Sequence, residues 1–120
     1  MGESGNRRIL ITGALGQIGM ELLDALQTKF GAENVIASDI REPDDVDTSK
    51  FRYEKLDVLD SEQMENIIRD NEITEVYHLA AILSATGEKN PELCWKINMD
   101  GLMNVLELAR KYKFRIFSPS

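Results

Sequence analysis

A chain of 120 residues with 42% apolar side chains and a single cysteine is one domain at most, and it must build its core without an internal disulfide. Its 14 basic and 21 acidic side chains leave a net charge of −7, so there is no basic stripe to neutralise phosphates, and nucleic acid is not an expected partner. No apolar run approaches the roughly 20 residues needed to span a bilayer, and Met1 to Arg8 contains no apolar signal region, so the expectation is a cytoplasmic protein without a membrane partner.

Residues 1–7 read as a polar, loose start to a domain spanning 8–120. Arg8 to Thr12 carries the apolar run Ile9-Leu-Ile11 into Thr12-Gly13, the pattern of a buried strand meeting a tight turn. From Gln17 to Phe30 the residues Ile18, Leu22, Ala25, Leu26 and Phe30 recur at helical spacing, and Gly31 stands where a C-terminal cap belongs. Val35 to Ser38 is a second strand, Arg41 to Lys50 a loop with Pro43, and Arg52 to Leu56 a weaker third strand. Asp60 caps a helix ending near Asn71, with Gln63 expected to reach back from the third position and Met64, Ile67 and Ile68 forming the apolar face. Glu75 to Ala81 is a fourth strand. Asn90-Pro91 then opens a long helix whose stripe is Cys94, Ile97, Gly101, Leu102, Val105, Leu108, Ala109 and Tyr112, and Phe114 to Phe117 is a fifth strand. Strands alternating with helices predict an α/β Rossmann-type half: a parallel sheet with helices on both faces, in strand order 3-2-1-4-5.

Gly13-Ala-Leu-Gly16-Gln-Ile-Gly19 lies between a predicted strand and a predicted helix, the context a dinucleotide fingerprint requires. Gly13 would make the turn, Gly16 would admit a pyrophosphate to the helix N-terminus, and Gly19 would let helix and strand pack closely. Asp39 follows Gly19 by 20 residues at the end of the second strand, where a carboxylate holds both hydroxyls of an adenosine ribose and repels a 2′-phosphate, so the expected cofactor is NAD. Arg41 is either a partner for a 2′-phosphate or a solvated loop side chain. Asp57 and Val58 either hold the adenine amine and ring or only begin a turn. His78, the one histidine, has no second histidine or cysteine beside it to share a metal and reads as structural. Cys94 reads as a packed thiol, and Asp44, Asp45 and Asp47 lack the glycine and distal glutamate of a calcium loop, so no metal is expected.

Thr12-Gly-x-x-Gly-x-x-Gly19, His78-Leu-Ala-Ala81, and Pro91 followed by Asn98-Met-Asp-Gly101-Leu-Met-Asn104-Val-Leu-Glu107 together resemble the extended short-chain dehydrogenase/reductase family from Arg8 onward. Gln17, in place of the aromatic residue common in sugar-nucleotide epimerases, and Ile82-Leu-Ser84-Ala-x-Gly87-Glu88 are similar to the NAD-dependent L-threonine 3-dehydrogenases of short-chain type. This resemblance implies oxidation of L-threonine to 2-amino-3-ketobutyrate by hydride transfer to NAD. It adds Gln17, Ile18 and Ile40 to the cofactor surface, lines the pyrophosphate and nicotinamide ribose with Leu79, Ala80 and Ala81, and braces the site with Asn98. Ser118 joins that surface, and Ser84 would contact the substrate unless its hydroxyl bonds nearby backbone.

The family's Tyr-x-x-x-Lys pair does not occur here: Tyr53, Tyr77 and Tyr112 are followed four residues later by Asp57, Ala81 and Ile116. Ser120 is at most a weak catalytic candidate, so the chain is expected to be the cofactor-binding half and inactive alone. The alternatives are the corresponding half of a nucleotide-sugar epimerase or dehydratase, and a non-catalytic NAD-binding module. The resemblance implies a homodimer, and the exposed fifth strand implies self-association of the 120 residues alone.

Overall fold

Ile9–Thr12 forms β1, and all four of its residues are buried, as expected of a central strand covered on both faces. The structure, a computed structural model, describes residues 7–45, 47–80 and 91–118. Within them the elements following β1 are α1 (Gln17–Phe30), β2 (Val35–Asp39), β3 (Arg52–Lys55), α2 (Ser61–Asp70), β4 (Glu75–His78), α3 (Pro91–Tyr112) and β5 (Arg115–Phe117). All pairings are parallel and the strand order is β3-β2-β1-β4-β5, the Rossmann-type order expected.

Side chains alternate between two cores, as a strand's period of two requires. Leu10, Ile36 and Val76 pack with Met64 and Ile68 of α2 and Val105 and Leu108 of α3. Ile9, Ile11, Val35 and Ala37 pack with Leu23 and Leu26 of α1. Each buried aliphatic side chain contributes about 1.5–3 kcal/mol, so two helices on one face and one on the other hold the sheet rigid beneath its C-terminal edge. There Thr12 lies in register with Ser38 on one side and His78 on the other.

Several local expectations change. The buried face of α1 is Gly19, Leu23 and Leu26, whereas Ile18 is 70% exposed and Ala25 is exposed: Ile18 lies on the first turn at the open edge of the sheet, and Ala25 lies off the Gly19-Leu23-Leu26 face. Asp60 does cap α2, accepting the Gln63 N–H at 3.1 Å, but the Gln63 side chain does not return to the cap. Its Nε2 donates instead to the Lys55 carbonyl at 2.7 Å, tying the helix to β3. β4 ends at His78: the Leu79 N–H is shared between the Thr12 carbonyl at 3.0 Å and the Thr12 hydroxyl at 3.1 Å, and the Ala80 N–H turns to the hydroxyl; Ala81 lies outside the described residues. β5 begins at Arg115, since Lys113 has φ +64 and breaks the extended run ahead of the buried Phe114. β1 likewise begins at Ile9, β2 extends to Asp39 and β3 stops at Lys55. Asn90 is outside the described residues.

Candidate functional site

The loop leaving β1 and the first turn of α1 contain three glycines, two tightly enclosed and one open. Gly13 has φ +69, and a Cβ there would lie 2.7 Å from the Ala80 nitrogen and Cα, so turn and close approach both demand glycine. Gly19 is equally constrained: its Cβ would meet the Ala14 carbonyl oxygen at 2.6 Å, where α1 crosses the start of its own loop. Gly16 differs, because a Cβ there would meet nothing closer than the Gly13 oxygen at 3.8 Å. It is the N-cap of α1, with no side-chain hydrogen bond on the cap and no acidic residue in the first turn. A helix start that is bare, positive by its dipole and open at Gly16 fits a pyrophosphate. Gln17 and Ile18 are exposed on that first turn.

Asp39 ends β2 beside this loop. Its Oδ2 accepts the Leu15 N–H at 3.1 Å and its Oδ1 the Arg41 N–H at 3.3 Å, so the carboxylate joins the glycine loop to the turn after β2. Tyr53 holds that turn from β3, its hydroxyl donating to the Arg41 carbonyl at 2.6 Å. Ile40 is 61% exposed, and Arg41 is also exposed. The Leu56 N–H donates to the Asp39 carbonyl at 2.8 Å, placing the loop after β3 next to Asp39. In that loop Asp57 makes a turn, its Oδ1 accepting the Leu59 N–H at 3.0 Å, while the Val58 carbonyl accepts from Asn104 Nδ2 at 2.9 Å.

On the other side of β1, Thr12 Oγ1 lies 2.9 Å from His78 Nδ1 and accepts the N–H groups of Leu79 and Ala80 at 3.1 and 3.2 Å. Burial pushes the His78 pKa below its ordinary 6.5. Asn98 Nδ2 bonds Cys94 Sγ at 3.6 Å, one turn back on α3. Ser118 lines a shallow depression with Tyr77, Leu79, Ile116 and Phe117, where the Tyr77 and Phe117 rings stack 4.6 Å apart. Ser84 and Ser120 lie outside the described residues.

The glycine loop, Asp39, Asp57-Val58 and Leu79-Ala80 therefore all lie at the C-terminal edge of the sheet, around the ends of β1, β2, β3 and β4. Two contributors were not assigned in the sequence. Thr12 was legible only as the residue opening the glycine motif, and Asn104 only as a member of the long-helix pattern. No group of three or more potential metal ligands occurs among the described residues, and no described helix is long and apolar enough to cross a membrane.

A profile of the NAD dependent epimerase/dehydratase family matches residues 9–120. An uncharacterized epimerase/dehydratase of Staphylococcus aureus is 50% identical over 115 residues, which are 95% of this chain and 36% of that protein. The monomeric L-threonine 3-dehydrogenase from a metagenome, in its apo form, is 55% identical with a TM-score of 0.85, over 93% of this chain and 35% of that one. The GalE-like L-threonine dehydrogenase of Cupriavidus necator, in its holo form, is 46% identical with a TM-score of 0.87, over 94% and 36%. The chain spans about a third of the length of the relatives it matches.

Proposed function

Because the chain belongs to the NAD dependent epimerase/dehydratase family, we propose that it binds NAD along the C-terminal edge of its sheet and forms the cofactor-binding part of an enzyme that oxidises L-threonine. The observation carrying the cofactor assignment is Asp39, set by two backbone N–H groups beside a glycine loop that is open only at Gly16. Its carboxylate accepts the ribose hydroxyls and repels a 2′-phosphate, while the head of α1 takes the pyrophosphate. Asp57 and Val58 receive the adenine. Leu79 and Ala80, tied to Thr12, support the nicotinamide ribose with Asn98 and Ser118. NAD supplies the hydride acceptor when bound.

Alcohol oxidation also needs a base for the hydroxyl proton. Neither Tyr77 nor Tyr112 supports that role: burial raises the Tyr77 pKa above 10.0, and a hydrogen bond to Glu65 raises that of Tyr112, the wrong direction for a base. No Tyr-x-x-x-Lys occurs among the 120 residues. The 120 residues therefore bind and orient, and the proton-transferring pair belongs to a further part of the enzyme. The threonine assignment is supported by likeness to threonine dehydrogenases at 46–55% identity.

The second reading is a nucleotide-sugar epimerase, favoured by the family's breadth and disfavoured by Gln17 in the glycine loop. The product of the complete coding sequence should form NADH from L-threonine and NAD and leave UDP-glucose unchanged. UDP-glucose epimerisation without NADH formation from threonine would overturn the substrate assignment. The 120 residues alone should show no turnover.

A further inference from the structure

Two residues one turn apart in the middle of α3 act on a single residue of the loop after β3. Gly101 is buried, and a Cβ there would stand 2.8 Å from Val58 Cγ2. Asn104 donates from Nδ2 to the Val58 carbonyl at 2.9 Å, a contact across 46 residues of sequence. A glycine inside a helix costs about 1 kcal/mol relative to alanine, so its place in a long helix is matched to the close approach of Val58. The helix itself is immobilised by Val105 and Leu108 in the core. Val58 packs against that same core, and Asp57 beside it uses Oδ1 for its own turn. Oδ2 of Asp57 takes no hydrogen bond among the described residues.

We infer that Asn104, with Gly101, is a positioning residue for adenine recognition: from α3 it sets the Asp57-Val58 loop so that the carboxylate meets the exocyclic amine and Val58 meets the ring. The inference rests on the NAD assignment proposed above. Asn104 contacts no part of the nucleotide and acts through the Val58 carbonyl. A side chain of the same shape without the N–H cannot do this, because a carboxylate oxygen at that place repels the carbonyl it replaces a donor for.

The test titrates NAD and nicotinamide hypoxanthine dinucleotide, which carries an oxo group in place of the amine, into the wild type and the Asn104→Ala, Asn104→Asp, Gly101→Ala and Asp57→Ala variants, with a thermal melt of each. The wild type should prefer NAD by about tenfold, and the preference should fall toward one in the Asn104 variants as it does in Asp57→Ala. Gly101→Ala, which pushes Val58 aside without removing the hydrogen bond, should lower it too and serves if the Asn104 variants do not fold. A lowered melting temperature with the NAD preference intact would make Asn104 purely structural and overturn the inference. If Asp57→Ala itself leaves the preference unchanged, the adenine assignment fails first, and the inference falls with it.

Discussion

Thr12 Oγ1 stands 2.9 Å from His78 Nδ1 while accepting two backbone N–H groups, from Leu79 and Ala80. The Leu79 N–H is shared between this oxygen and the Thr12 carbonyl at 3.0 Å, and burial of His78 disfavours its charged form. A buried hydroxyl thus joins β1 to the chain leaving β4, with the His78 ring in hydrogen-bond contact with it.

This arrangement makes stability depend on pH with a defined sign. Burial lowers the folded-state pKa of His78 below 6.5, so the unfolded chain takes up the proton first. The contribution of neutral His78 is complete above 6.5 and is lost as pH falls from there toward the lower folded value. Melts between about pH 7.5 and 5 should show a falling Tm, and His78→Gln should flatten that part of the profile. Thr12→Val should cost about 1–3 kcal/mol in denaturant unfolding by orphaning the Ala80 N–H, and Thr12→Ser much less.

The glycines of the loop separate folding from binding. Gly16→Ala places its Cβ no closer than 3.8 Å to the Gly13 oxygen, so the melting temperature should fall only by what an alanine N-cap costs, about 1 kcal/mol, while NAD affinity falls about tenfold or more, as the methyl enters the pyrophosphate's place. Gly13→Ala adds a methyl 2.7 Å from Ala80 at φ +69, and should lower stability by about 1–3 kcal/mol from backbone strain alone. Equal behaviour of the two variants in calorimetry and melting would contradict this account.

Asp39→Ala removes an acceptor that the loop and the ribose share. Loss of charge-assisted hydrogen bonds worth about 1.5–3 kcal/mol should weaken NAD about tenfold or more. NADP should bind relatively better to this variant than to the wild type, since the carboxylate no longer opposes the 2′-phosphate. Titration calorimetry with both dinucleotides measures the ratio; an unchanged ratio would remove Asp39 from the ribose site.

Among the described residues β5 is an edge of the sheet, pairing only with β4, and Phe117 is 41% exposed beside its stacked partner Tyr77. The 120 residues alone should therefore self-associate, and sedimentation velocity should show a weight-average mass rising with concentration despite the net charge of −7. A monomer at every concentration would show that this edge is tolerated as it stands.

The amino-acid sequence by itself determined what depends on near neighbours. The apolar run at Ile9-Leu-Ile11, the 3.6-residue stripe of α2, the Gly31 cap and the alternation of strands with helices were sufficient for the parallel sheet and its order. So was the 20-residue step from Gly19 to Asp39, because one strand length and one helix length set it. Tertiary structure decided what depends on approach across the sheet. Ile18 and Leu23 are both compatible with a helical apolar face, and only the placement of α1 over β1 and β2 buries Leu23 and leaves Ile18 at the open edge. The partners of Gln63, Thr12 and Asn104 were likewise hidden. A polar side chain bonds whatever carbonyl or N–H packing brings within hydrogen-bond distance, and for Thr12 and Asn104 that group lies 46 to 68 residues away, where no local pattern records it.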